Sequence, residues 1–324
     1  ASVVNMMKSV VYALLPVTFC ALYVYGLQFL ATLVVAFISI VGTEYVVAKM
    51  FKKESTIYNF TAVITAMIYA LILTAGTPLW VVFLGGLFAT IFAKLVFGGM
   101  GNNIFNPAAI ARVFVLVSFG AVTMNETVVE AVGGSTPLAT IAGDGLNYAN
   151  NFAALQSNYS LTDLLVGGQA GAYGESFTVA IILGAVILMV TKAADMKMMM
   201  SAIGMFFLMG LTFAASHGLP LEFAVYQLAM GGFLFGAVFM VTDPVTGPST
   251  PPARIMFGIL IGGLTFVIRI LGAYPEGLLF ALILMNMFAP LFDYYKWAAQ
   301  SFNKGWIIAV STAVVLLLGI AVIA

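Results

Sequence analysis

Long apolar runs, separated by short polar or glycine- and proline-containing breaks, extend along most of this chain. A helix needs roughly 20 such residues to cross the hydrocarbon core of a bilayer, because its backbone amides must be satisfied within the helix. Eleven runs of suitable length therefore predict eleven helices. They cover residues 9 to 26, 28 to 47, 57 to 75, 79 to 97, 107 to 123, 176 to 191, 199 to 215, 221 to 241, 254 to 271, 277 to 291 and 306 to 324.

The composition supports a membrane protein. Of 324 residues, 63% are hydrophobic and 7% are charged, which is too little polar surface for a water-soluble domain. The fold class that we predict is all-α, a polytopic integral membrane protein of about ten transmembrane helices. The positive and negative charges balance, so nucleic acid is not an expected partner. Cys20 is the only cysteine, so any iron–sulfur cluster must be held by a partner.

The basic residues predict how the chain crosses the membrane. With a cytoplasmic N-terminus, eleven of the twelve Lys and Arg residues fall on the inner side, and Arg269 alone lies towards the outside. The opposite orientation would violate the positive-inside rule. Residues 124 to 175, the longest stretch predicted to be non-helical, then form an external loop rich in acidic residues. This loop is either a functional element or a solvated cap between helices.

Ten of the eleven helices divide into two sets of five around this loop, and an odd number of helices in each set predicts an inverted repeat. The predicted domains are residues 1–123, the first set; 124–175, the external loop; 176–295, the second set; and 296–324, an additional C-terminal helix.

The first polar break, Phe97 to Pro107, contains three glycines that let the backbone turn and approach a ligand. Asn103 and Asn106 offer amide donors and acceptors that suit the N–C=O edge of an isoalloxazine or the carbonyls of a quinone. Alternatively, these asparagines cap helix ends in a re-entrant turn. The break therefore predicts either a ligand site or a capped turn.

The second break, Val241 to Pro252, places Asp243 at the cytoplasmic end of a helix and Arg254 at the start of the next. Asp243 either hydrogen-bonds a flavin, coordinates a passing cation, or forms an Asp–Pro turn paired with Arg254. Glu44 and Glu222, near helix ends, are weaker candidates for an ion path, because a carboxylate at the interface can stay solvated.

The segment Glu130 to Ala139 reads EAVGGSTPLA. It resembles a loop of the D-type subunit of the Rnf complex and of its homologue, the B-type subunit of the sodium-pumping NADH:quinone oxidoreductase. Further segments resemble that family in the same order, and the similarity extends from residue 1 to about residue 295. These segments are residues 97 to 112, 242 to 245, 274 to 277 and 288 to 293.

The resemblance implies that Thr136 carries FMN through a phosphoester bond, which would make the chain a phosphoprotein, with Gly134 and Ser135 beside the attachment point. The chain departs from the family pattern at Gly133, usually Ser or Thr, and at Ser135, usually Ala. Small residues before Thr136 expose its hydroxyl, and Pro137 stiffens the turn behind it. An ordinary glycine-rich turn is the alternative.

The resemblance also implies a second, non-covalent flavin, riboflavin, near Asn103 and Asn106. Arg112, which ends the first matching segment, and Asp243 complete the set of expected cofactor-binding residues. No metal ligands and no catalytic residues are expected in this chain.

By resemblance, the chain is expected to be the D-type membrane subunit of an Rnf-type ion-translocating ferredoxin:NAD oxidoreductase, in the cytoplasmic (inner) membrane. The D type is favoured over the B type of the quinone-reducing homologue because a long N-terminal extension is absent. The expected partners are the other subunits, including a second FMN-bearing subunit and iron–sulfur subunits, and Na+ or H+ is the transported ion. The alternatives are a small-solute channel or transporter and a non-redox scaffold.

Overall fold

A computed structural model describes residues 3–51, 56–99, 101–123, 137–141, 148–167, 171–272, 276–294 and 302–324. Throughout these ranges the chain is predominantly helical and forms no β-strand; two residues, Thr74 and Ala172, make an isolated bridge. The prediction of an all-α polytopic membrane protein is confirmed.

The α-helices are numbered here in chain order. They are α1 (Val3–Phe37), α2 (Thr43–Met50), α3 (Thr61–Ile72), α4 (Leu79–Phe88), α5 (Pro107–Thr123), α6 (Pro137–Ile141), α7 (Tyr148–Asn158), α8 (Leu161–Val166), α9 (Thr178–Thr191), α10 (Met196–Ser216), α11 (Glu222–Ala229), α12 (Phe233–Phe239), α13 (Pro251–Leu271), α14 (Gly277–Tyr294) and α15 (Lys304–Ile323). Two π-helices, Ile38–Gly42 and Ala89–Leu95, and a 3-10 helix, Thr56–Asn59, lie between them.

Each of the eleven predicted helices has a helical counterpart. Five stretches in the described ranges are long and apolar enough to cross a membrane, and four shorter apolar helices accompany them. The longest stretch, Val3–Met50, contains the first two predicted helices. Gly26 interrupts it with a non-helical backbone (φ 54°, ψ −130°), at the break that the sequence predicted between residues 26 and 28.

Two sequence expectations are corrected. The apolar run 221 to 241 is not one helix, because it bends by 63° between α11 and α12. The external loop is not wholly irregular, because its described parts form α6, α7 and α8. Ser160 and Asp163 form a capping box at the start of α8, and the hydrogen bonds from Ser160 hold the pKa of Asp163 below its usual range.

The chain forms two compact units. The first comprises residues 1–134 and 170–194, so α9 belongs to it although the sequence division assigned residues 176 to 191 to the second set. Here α1 packs against α3 and α9. The ring of Tyr173 lies 4.8 Å from that of Tyr25 and 5.0 Å from that of Phe29. This aromatic contact joins the segment before α9 to the middle of α1.

The second unit comprises residues 135–169 and 195–324. Its centre is the packing of α10 on α13, with α14 against α13 and α15 against both α10 and α13. The indole Nε1 of Trp306 donates to the carbonyl oxygen of Pro252 at 3.0 Å. This bond attaches α15, the additional C-terminal helix that the sequence predicted, to the start of α13.

Candidate functional site

The predicted flavin-attachment residues Gly134, Ser135 and Thr136 lie outside the described residues. The described chain continues at Pro137, the first residue of α6. Leu138 and Ile141 of this short helix are buried, and Asn151 of α7 donates through Nδ2 to the carbonyl oxygen of Ile141 at 3.2 Å. The residue after Thr136 therefore opens a packed helix of the second unit.

The first polar break is a glycine turn. Gly98, Gly99 and Gly101 have φ angles of 110°, 93° and 87°, a region that side chains with a Cβ rarely adopt. The amides of Gly98 and Gly99 donate to the carbonyl oxygens of Leu95 and Lys94, both at 3.0 Å, which closes the preceding π-helix. The glycines are thus required by backbone conformation at the end of that helix.

The two asparagines after this turn differ in their roles. Asn106 caps α5, because its Oδ1 accepts from the amides of Ala108 at 3.0 Å and Ala109 at 3.3 Å. Asn103 donates through Nδ2 to the carbonyl oxygen of Phe105 at 3.3 Å. Asn106 therefore acts as the helix cap that one of the two alternatives predicted. The Oδ1 of Asn103 is an acceptor that suits a flavin N–H group. Arg112 is buried further along α5, only 3% exposed.

A buried ion pair lies beside the two π-helices of the first unit, and the sequence did not indicate it. The Nζ of Lys94 is 2.7 Å from Oε2 of Glu44 and 3.2 Å from Oγ1 of Thr61. Lys94 and Glu44 are 4% and 2% exposed. The reason for ranking Glu44 as a weaker candidate, that a carboxylate at the interface can stay solvated, does not apply, because tertiary packing buries it beside Lys94. π-Helical turns within longer helices are frequent at functional sites.

Asp243 forms the turn at the second break, but its predicted partner is incorrect. Its Oδ1 accepts from the amide of Val245 at 3.0 Å and its Oδ2 from the hydroxyl of Thr246 at 3.1 Å. Arg254 instead pairs with Asp195, with Nη1 2.6 Å from Oδ2. These hydrogen bonds therefore support the turn alternative for Asp243, whereas Arg254 pairs with a different carboxylate.

The same break contains a helix cap that the sequence did not indicate. Asp293, at the end of α14, accepts hydrogen bonds from the amides and hydroxyls of Ser249 and Thr250, at 2.8 to 3.1 Å. These residues precede α13, so one carboxylate satisfies donors at its N-terminus. The separation of 44 residues between Asp293 and Ser249 explains why no local motif predicted this contact.

Glu222, the other weak candidate, and His217, the one histidine of the chain, lie at the surface of the second unit. Glu222 is exposed and its Oε2 is 3.4 Å from Nε2 of Gln156. His217 stacks on Phe213, with ring centroids 4.1 Å apart, and its Nδ1 lies 3.0 Å from the carbonyl oxygen of the same residue. Neither position is a buried ionisable site.

Comparison with known proteins settles the family. Residues 1–301, which include parts of both compact units, match the model of the NQR2, RnfD, RnfE family. The chain belongs to this family. The match includes the glycine turn, the Asp243 break and the loop that contains Thr136.

Three curated members of this family illustrate the similarity. The chain is 33% identical to the D-type subunit of the proton-translocating ferredoxin:NAD(+) oxidoreductase complex of Clostridium ljungdahlii, over 90% of this chain and 89% of that protein. It is 34% identical to the D-type subunit of the Na(+)-translocating ferredoxin:NAD(+) oxidoreductase complex of Acetobacterium woodii, over 90% and 88%. It is 38% identical to the B-type subunit of the Na(+)-translocating NADH-quinone reductase of Chromohalobacter salexigens, over 72% of this chain, but spans 57% of that protein's length.

Proposed function

We propose that this chain is the flavin-bearing membrane subunit of an Rnf-type complex, which moves Na+ or H+ while electrons pass between ferredoxin and NAD. One observation carries the proposal: 90% of this chain aligns with each of the two D-type subunits, whereas 72% of it aligns with the B-type reductase subunit. Of the two subunit types in the family, the D type is therefore favoured.

The covalent cofactor is FMN, held as a phosphoester on Thr136. Support comes from the resemblance of the loop and from the described residues that follow it. The buried side chains of Leu138 and Ile141 anchor the helix that begins one residue after Thr136, so the attachment point is adjacent to a packed element. FMN, when bound, supplies one- and two-electron transfer chemistry.

A second, non-covalent flavin, riboflavin, binds at the glycine turn of the first unit. The polar groups at this turn suit a flavin, because the Oδ1 of Asn103 can accept a hydrogen bond. In the described part of the chain, no atom lies within 4 Å of a Cβ position at Gly99 or Gly101, so a planar ring can approach the backbone closely. Asn106 contributes mainly by holding the start of α5 in place, and Arg112 provides a buried positive charge on that helix. Asp243 remains a candidate for the same cofactor or for the ion.

The N-terminus lies in the cytoplasm and the Thr136 loop lies outside the cytoplasmic membrane, where it meets partner subunits that hold iron–sulfur clusters and a second FMN. Coupling follows from charge: reduction of a flavin in a low-dielectric setting changes the local potential and biases an ion gate. The buried Lys94–Glu44 pair is an ionisable element of the first unit on which such a potential could act.

Fluorescence of the polypeptide on a denaturing gel tests the covalent flavin. The complex is produced with its native flavin-attachment machinery, and the wild type, Thr136→Ala and Ser135→Ala are compared. Ser135→Ala is the matched control, because it removes the neighbouring hydroxyl only. We expect fluorescence in the wild type and the control and none in Thr136→Ala.

Three other results contradict parts of the proposal. Absence of fluorescence from the wild-type polypeptide would exclude the covalent flavin and favour a solute channel or a scaffold. Fluorescence lost in Ser135→Ala but kept in Thr136→Ala would move the attachment to Ser135. Unimpaired electron transfer by a Thr136→Ala complex that assembles normally would favour the scaffold. Ion flux into proteoliposomes with and without Na+ then distinguishes Na+ from H+ transport.

A further inference from the structure

A buried arginine lies in the second unit, at the end of α13. Arg269 is 5% exposed, and its Nη1 donates to the carbonyl oxygen of Gln227 at 2.6 Å and to the Oε1 of the same residue at 3.2 Å. Burying a guanidinium is costly unless hydrogen bonds and a counter-charge compensate for lost water. These two contacts hold the guanidinium against Gln227.

Gln227 provides a second donor at the same place. Its side chain is fully buried, and its Nε2 has no hydrogen-bond partner in the part of the chain that the structure describes. A buried amide N–H without an acceptor is rare in folded proteins and points to a missing group that accepts. Together Gln227 and Arg269 form a donor-rich site, which suits an anion.

Aromatic rings form one wall of this site. The centroid of Phe206 is 4.9 Å from Cζ of Arg269, and Phe206 stacks on Phe233, with centroids 3.9 Å apart. These rings keep water away from the guanidinium, which strengthens its attraction for a negative group.

The break between α11 and α12 joins this site to the helix after the flavin-attachment loop. Gly231 has φ 64°, and a Cβ at this position would lie 2.4 Å from Cδ1 of Leu138 and 3.5 Å from Nη2 of Arg269. The guanidinium and the side chain of Leu138 are therefore within about 6 Å of each other. Only glycine both permits this backbone and leaves the space between them open.

The length of chain between Thr136 and Leu138 allows the proposed phosphoester to reach the same region. Leu138 follows Thr136 by two residues, which span at most about 7 Å of chain. A phosphoester on the Thr136 hydroxyl carries one negative charge and several acceptor oxygens. Arginine binds phosphate groups well, because its planar donors match two oxygens at once.

We propose that Arg269 and Gln227 bind the phosphoester of the flavin carried by Thr136. This inference rests on the proposed function. Arg269 is the one basic residue that the charge pattern places on the outer side of the membrane, the same side as the loop. Arg269 is a positioning residue: it holds the tether, which limits the motion of the flavin between its electron donor and acceptor.

The test compares Arg269→Met with Arg254→Met in the intact complex. Both variants remove an arginine from α13, but the two residues are 15 positions, about 22 Å, apart. Two properties are measured: the fluorescence anisotropy of the covalent flavin, and the difference in Tm between each protein and its Thr136→Ala counterpart. In Arg269→Met we expect the anisotropy to fall and the Tm difference to shrink towards zero, with neither change in Arg254→Met.

Gln227→Leu provides a second, milder variant. It removes the Nε2 donor but keeps the main-chain oxygen that Arg269 contacts, so we expect a smaller decrease in the same two quantities even if Arg269→Met does not assemble. Arg269→Lys retains the charge and should restore part of the anisotropy.

Two outcomes overturn the inference. Values for Arg269→Met and Gln227→Leu equal to those for Arg254→Met would show that the site does not hold the flavin. A tenfold or larger change in the one-electron reduction equilibrium, about 59 mV, in Arg269→Met would place the guanidinium at the ring and not at the phosphoester. An unflavinylated wild type is a different result, because it contradicts the proposed function itself.

Discussion

At the scale of single residues, the most consequential feature is the ion pair between Lys94 and Glu44. Two opposite charges buried together attract strongly, but each has lost its hydration, so the pair is close to neutral for stability. Removing one partner is different, because the other charge stays buried without its counter-charge. Lys94 also has the hydroxyl of Thr61 within 3.2 Å, which further orders the pair.

We expect Lys94→Met to destabilise the protein by about 3–5 kcal/mol, because the buried carboxylate of Glu44 then loses the ammonium group that lies 2.7 Å from it. The measurement is thermal unfolding of the detergent-solubilised complex.

Lys49→Met is the control for this variant, because Lys49 is exposed and its removal should have a small effect. The double variant Lys94→Met/Glu44→Gln should recover most of the loss, since the buried negative charge is then gone. Equal effects of Lys94→Met and Lys49→Met would show that the pair is not buried.

At the scale of elements, close packing of α10 on α13 organises the second unit. Gly258 and Gly262 lie four residues apart on one face of α13, where small residues let helix backbones approach. A Cβ on Gly262 would lie 2.2 Å from the carbonyl oxygen of Ala202, and one on Gly258 would lie 2.5 Å from that of Met198. These atoms belong to the backbone of α10 and cannot move aside cheaply.

Gly262→Ala should therefore cost about 1–3 kcal/mol, because the two helices must separate. Gly204→Ala in α10 is the matched control: nothing lies within 4 Å of its Cβ position, so this variant should be neutral or more stable by up to about 1 kcal/mol. Thermal unfolding of both variants provides the measurement. A Gly262→Ala protein as stable as Gly204→Ala would contradict the helix packing described here.

At the scale of the whole molecule, the chain consists of two compact units that the sequence order does not separate cleanly. The described helices of the loop, α6 to α8, belong to the second unit. Helix α9 follows the loop in sequence but packs on α1. The inverted repeat remains a prediction, because topology and packing divide the chain at different residues.

Orientation is testable with single cysteines in a Cys20→Ala background. Lys197 and Glu222 are exposed residues near opposite ends of α10, whose 21 residues span about 30 Å. A membrane-impermeant maleimide added to intact cells should label Glu222→Cys and not Lys197→Cys. Labelling of both after permeabilisation is the control, and the reverse pattern in intact cells would invert the proposed topology.

Much of this protein follows from its sequence alone. The apolar runs were sufficient to locate the helices, because each segment in hydrocarbon must satisfy its own backbone amides. Gly26 lies at the first break between these runs and has a non-helical backbone. A cap at Asn106 was one of the two alternatives for its position just before Pro107, and the family follows from ordered motifs. These features depend on neighbours in the chain.

Only the tertiary structure decided which distant polar groups meet. Lys94 pairs with Glu44 across 50 residues, Asp293 caps a helix that begins 42 residues earlier, and Arg269 meets Gln227 across 42 residues. The bend at Gly231 belongs to the same class, since the apolar run of residues 221 to 241 continues through it. In each case the contact is stabilised by packing and desolvation between helices that are distant in sequence. The order of apolar and polar residues along the chain does not predict which of these helices meet.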